Sequence, residues 1–165
     1  MDYKSNFKED LVKGVTGEYD MAVYLKDKNF ETIHFNTDAK WDLKSISPNT
    51  GMMTFFEVKT DFFCKDKETD TGNIAVEIRY KGKPSGISSS ESDVLMYYFP
   101  YFNKDNVWMI KINKLKEFIK NNIKDLRVVK GGDDNQSEIV LIPREKFRER
   151  FHVDTFIPEA HPEKY

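Results

Sequence analysis

One cysteine, three scattered histidines and no long apolar run set the first limits on this 165-residue chain. The lone Cys64 excludes an internal disulfide and fits a reducing compartment. Beside a single thiol, His34, His152 and His161 are too dispersed to suggest a zinc site. No stretch approaches the ~20 apolar residues that a spanning helix needs, and Met1-Asp2-Tyr3-Lys4 lacks a signal-peptide core. A soluble, cytoplasmic protein without a membrane partner is therefore expected. Strong charge of one sign is missing too. The net charge of −2 gives no global basic signal for nucleic acid, although a local basic face would suffice. Repeats and linkers are absent, so the length suggests one domain over residues 1–151, then an irregular tail over 152–165 that holds Pro158 and Pro162.

What is present is material for a core. Aromatic residues make up 14% of the chain, with 13 Phe and 8 Tyr. Residues 5–28 show roughly helical apolar spacing at Leu11, Val15, Met21, Ala22 and Leu25, interrupted by Gly14 and Gly17. Strands are expected over 31–35, 40–46, 53–62, 74–80, 95–99, 107–112 and 139–142. A helix capped by Asn113 should follow the sixth of these, and Pro143 should start a basic helix through Phe151. This pattern predicts an α/β fold with a central mixed sheet flanked by helices.

One strand stands apart. Met53-Thr54-Phe55-Phe56-Glu57-Val58-Lys59-Thr60 is aromatic and β-branched, yet it carries an acid and a base two residues apart. Residues i and i+2 of a strand share a face, so Glu57 and Lys59 project side by side, where charge is expensive unless it is matched. The loop Ser47-Pro48-Asn49-Thr50-Gly51 can turn the preceding strand, Trp41 to Ile46, back upon this one. Asp42 would then lie beside Glu57. The same short pattern occurs at Asp2-Tyr3-Lys4, Asp38-Ala39-Lys40 and Asp42-Leu43-Lys44, where polar surroundings make solvated surface charge the simpler reading. Two carboxylates and an ammonium fit phosphodiester hydrolysis. Asp42, Glu57 and the Val58 carbonyl would hold Mg²⁺, with Mn²⁺ able to substitute, and Lys59 would steady the nucleophile or the developing charge.

Asp42 followed by Glu57-Val58-Lys59 resembles the PD-(D/E)XK nuclease superfamily, whose restriction-endonuclease-like core is a helix, three strands carrying these residues, then a helix and a strand. The closer likeness is to small Holliday-junction-resolvase-like members, often found in phages and mobile elements. In these a Gly-Glu of the first helix adds an acidic ligand; Gly17-Glu18 matches, which makes Glu18 the candidate, with Asp20 and Glu9 as competitors on that helix. Residues 71–77 and 82–87 also look like sequence that follows the ExK strand in phage nuclease-like proteins. The resemblance implies a Mg²⁺-dependent DNA endonuclease acting as a homodimer, with branched or junction DNA among its candidate substrates. Two departures stand out: Trp41 replaces the Pro before Asp42, and no helping Gln or Glu is evident in the following helix.

Other residues carry two readings. Arg79, Lys81 and Lys83 form a candidate DNA approach beside Gly82 and Gly86, whose spacing is wrong for a nucleotide-binding loop, so no nucleotide cofactor is expected. Arg144, Lys146, Arg148 and Arg150 are either a DNA-backbone contact or a solvated helix face. Glu77 is read as an outward charge in preference to a site residue, Asp61 as solvated, and Ser88 to Ser90 as cap or turn residues. The rival to a nuclease is a non-catalytic nucleic-acid-binding or protein-interaction module that keeps the fold.

Overall fold

The computed structural model describes residues 3–36, 40–65, 67–132 and 134–157, and the side chains of all of these but 3–13 and 32–34. Helix α1 (Tyr3–Asp27) leads into a meander of β1 (Glu31–Phe35), β2 (Leu43–Ile46) and β3 (Met53–Thr60). Next come β4 (Asn73–Tyr80), β5 (Lys83–Pro84), β6 (Val94–Tyr98) and β7 (Val107–Lys111). The chain continues through α2 (Ile112–Asn122), β8 (Arg127–Gly131), β9 (Ser137–Pro143), the short α3 (Arg144–Phe147) and β10 (His152–Asp154).

Among the described residues these strands form two sheets. The first has the order β1-β2-β3-β6-β7-β10 and is mixed, because β3 and β6 run parallel while its other pairs are antiparallel. The second, β5-β4-β9-β8, is antiparallel throughout. The α/β class and the mixed sheet agree with the sequence reading. The second sheet does not: β4 leaves the central sheet to pair with β9. His152–Asp154 is likewise no irregular tail but an edge strand on β7.

Period-two alternation explains why the central strands look apolar throughout. Met96 and Tyr98 of β6 pack with Met21, Tyr24 and Leu25 of α1, Leu43 of β2 and Phe56 of β3. Leu95 and Tyr97 face the other way, into a core with Ile74, Val76, Val140 and Ile142 of the second sheet and Leu115 and Ile119 of α2. A strand covered on both faces has no polar side to show. Helix α1 is closed off by Asn29, two residues past its end, whose φ of 62° is left-handed. The Asn29 and Phe30 N–H groups return to the Lys26 and Leu25 carbonyls (both 2.9 Å), satisfying the last turn and aiming the chain into β1. The turn from β2 to β3 closes through Gly51 N–H to Ser47 O (2.7 Å), with Gly51 at φ 65°.

Candidate active site

The regular pairing of β2 with β3 stops at Leu43 opposite Phe56. One step beyond, the Asp42 N–H still reaches the Phe56 carbonyl at 2.8 Å. The next N–H of β3 on this side, that of Val58, would be left over. Asp42 takes it through its side chain, Oδ2 accepting at 2.6 Å. A carboxylate thus replaces a missing ladder partner, and its attachment point is the residue between Glu57 and Lys59. Trp41, in the place of the expected Pro, lies against Phe55 with ring centroids 5.3 Å apart.

Helix α1 brings the third acid. Gly17 is buried against β3, where a Cβ would meet Thr60 Oγ1 at 1.9 Å. Only glycine permits that approach, and it delivers the next residue, Glu18, to the end of the ladder. Of the competing helix acids, Asp20 is buried on its own account, and the Glu9 side chain lies outside the described residues, as do the Asp2 and Asp38 copies of the motif.

Glu57 is held from the far side by Ser90, read from the sequence as a cap or turn residue, and by Lys116, which the sequence did not mark. Ser90 is buried, and its hydroxyl donates to Glu57 Oε2 at 2.8 Å. Lys116 of α2 donates to the Ser90 carbonyl at 3.1 Å and lowers the cost of charge on Glu57. The Ser90 segment is strapped to the stretch leading to Asp42, since Glu91 N–H donates to Lys40 O (2.9 Å) and Lys40 Nζ meets Glu91 Oε1 (2.8 Å). Glu57, Val58 and Lys59 open into a cavity of about 220 Å³ between the two sheets, with Tyr97 and Glu77 in its wall.

Electrostatically, the acids strain against one another. Burial pushes the Glu18 carboxyl up to about 7, helped by Asp42 and Glu57. Burial also raises Asp42, partly offset by the Val58 N–H. Glu57 rises through burial and then Asp42, against the Ser90 hydroxyl, Lys59 and Lys116. Such a cluster draws a counter-charge, and an all-oxygen donor set suits a hard cation. Among the described residues no three His, Cys, Asp or Glu side chains converge closely enough to enclose an ion alone.

Several sequence expectations are revised. Glu77 is not outward-facing: it is half-buried, and its carboxylate accepts from the Ser85 (2.6 Å) and Ser137 (2.5 Å) hydroxyls. Gly86 serves a close approach to Glu77, where a Cβ would lie 2.6 Å from the Glu77 carbonyl oxygen. Asp61 is no solvated strand end; burial raises it, and the Phe63 N–H (2.9 Å) and Tyr97 hydroxyl (3.4 Å) bond to it. The Arg144 group is mostly committed internally. Arg144 Nη2 grips both oxygens of Asp70 (2.7 Å to Oδ1) and lies over Phe99 and Phe102, Arg148 pairs with Asp105 (2.5 Å), and Arg150 sits on Phe118. Of the candidate DNA contacts, Arg79 pairs with Glu138 (3.3 Å) and Lys81 with Asp134 (3.5 Å), while Lys83 is exposed on β5. Exposed pairs of this kind are worth little and exchange readily.

Among the described residues no helix is long and apolar enough to cross a membrane. No family model, no curated protein and no solved structure matches this chain.

Proposed function

We propose that this chain is a metal-dependent DNA endonuclease of the PD-(D/E)XK type, using Mg²⁺ or Mn²⁺. The observation that carries the reading is the bond from the Val58 N–H to Asp42 Oδ2, which ties the separate aspartate to the middle of Glu57-Val58-Lys59. The order α1-β1-β2-β3, with Asp42 entering β2 and the ExK triplet in β3, supports a restriction-endonuclease-like core. The chain departs from that pattern after Lys59. The crossover to β6 contains β4, β5 and two 3₁₀ turns, and among the described residues no α-helix.

In this reading Asp42, Glu57 and the Val58 carbonyl hold the cation, and Glu18 completes the site. When bound, the ion lowers the pKa of a water and withdraws charge from the scissile phosphate. Lys59 faces the same cavity as Glu57, so its ammonium meets charge gathering on the phosphate oxygens. Ser90 fixes one oxygen of Glu57 and leaves the other for its ligand. Branched substrates need paired cuts, and a homodimer supplies two such sites.

The competing reading is a non-catalytic nucleic-acid-binding module. What favours it is that Glu57 already has Ser90, Lys59 and Lys116 as partners. A panel of linear, nicked, flapped and four-way DNA, with Mg²⁺, Mn²⁺ or EDTA, separates the two. Cleavage that requires the metal supports the nuclease; binding with steep salt dependence and no turnover supports the module.

A further inference from the structure

A second cavity, of about 350 Å³, lies beside the first. Ile87 lines both, so the two are separated by little more than one side chain. Its cations are Arg79, Lys116 and Lys120, and no acidic residue lines it. Ile119 and Ile123 join Ile87 as an apolar floor. The chain as a whole carries −2, so three cations without an acid form a local feature. Glu138, the acid paired with Arg79, is shared with Lys130 (3.1 Å), which leaves that rim net positive. Lys116 joins the two cavities chemically, since the Ser90 that it holds is the Ser90 that holds Glu57.

The geometry points to this groove as the seat of an unpaired nucleotide strand adjoining the scissile phosphate, an inference that rests on the nuclease reading. Duplex DNA offers phosphates to a basic rim but keeps its base faces stacked. Ile87 and Ile119 belong to the core beneath, while the exposed Ile123 offers the groove an apolar contact that suits a nucleotide whose sugar and base faces are free. The volume is at the small end of ligand pockets, about 300–1,000 Å³, enough for a nucleoside-sized group. Each phosphate neutralised by the rim adds to the salt dependence of binding, whereas contact with the floor does not. The protein is then selective for flaps or splayed ends over continuous duplex.

The test uses Glu57→Gln as the binding form and fluorescence anisotropy with a blunt duplex and the same duplex bearing a single-stranded extension. The extended DNA is expected to bind about tenfold tighter. Lys120→Glu, an exposed change, should weaken it about five- to tenfold and reduce the salt slope by roughly one. Ile123→Ser should shrink the preference for the extension and leave the slope alone. Matched melting temperatures control for folding. If both variants bind the extended DNA like their parent, the groove assignment is overturned, while metal-dependent cleavage by the unmutated protein still upholds the nuclease reading. If a poly-glutamate peptide of equal charge displaces the extended DNA as well as unlabelled DNA does, the groove takes acidic protein and the inference fails. Loss of the preference in the variants of a protein that never cleaves DNA keeps the groove and removes the nuclease.

Discussion

Gly17 and Thr60 are in contact with no room to spare: a methyl group on Gly17 would lie 1.9 Å from Thr60 Oγ1 and 3.0 Å from its Cβ. Helix α1 therefore lies directly on β3 at the end of the ExK strand. Gly17→Ala should destabilise by roughly 1–3 kcal/mol, as over-packing does. Thr60→Ala in the same chain removes the closest clash but not the Cβ contact, and should recover part of the loss. Urea midpoints of the two single variants and the double variant check this. A Gly17→Ala protein as stable as its parent would mean that the helix does not sit where described.

Asp42 has two tasks that substitution separates. Asp42→Ala leaves the Val58 N–H without its partner, at a cost of about 1–3 kcal/mol. Asp42→Asn keeps an oxygen for that N–H and removes the charge that presses on Glu18 and Glu57, so the fold should hold. Both variants should lose metal-dependent cleavage. Equal stability of the two at neutral pH contradicts the structural half of this account.

The pH dependence of stability follows from Glu18. Its carboxyl keeps a proton up to about 7 when folded and releases it near the ordinary 4.5 when unfolded. Between those values the folded chain binds more protons, so this contribution is fully present below about 4.5 and is lost as pH rises through 7. Glu18→Gln should therefore be stabilising relative to the parent at pH 8 and near-neutral at pH 4. Denaturant unfolding at both values measures the difference; identical curves would place Glu18 in open solvent.

Glu57→Gln and Lys59→Ala test the chemistry. Cleavage should disappear in the first and fall by about 10²–10³-fold in the second, the scale set by losing one stabilising donor, with circular dichroism unchanged. Undiminished cleavage by either variant refutes the assignment.

Arg144 belongs to the fold, not to a DNA surface. Its pair with Asp70 is mostly shielded, with 14% and 22% of the two side chains exposed, and Arg144 holds Asp70 below the usual carboxylate range. Arg144→Met should cost roughly 1–3 kcal/mol, below the figure for a fully buried pair because water still reaches this one. DNA affinity should not change. A drop in affinity without a drop in melting temperature reverses this conclusion.

Local features were legible in the sequence because local physics sets them. Strand β1 falls on 31–35 as expected, the Ser47–Gly51 turn folds β2 onto β3, and the charged pair in an apolar strand marks the site. What the sequence does not report is the distant partner. Ser90 is 33 positions from Glu57, and Arg144 is 74 from Asp70; no periodicity reports either. Strand β8 carries exposed Arg127 and Lys130 and exists through its pairing with β9. The short β10 is too brief to show alternation. Glu77 is not the outward charge its alternation suggests, because alternation names a face but not what covers it, and here Ser85, Gly86 and Ser137 do.

The parallel seam between β3 and β6 has a consequence for assembly. Everything from Asp61 to Asp93, including two strands of the other sheet, must loop out and return before Thr60 can sit beside Tyr98. Closing so wide an excursion precedes any reward from the contacts it brings. The acids from the front of the chain and Lys116 from its latter half therefore come together only once this long-range pairing is made.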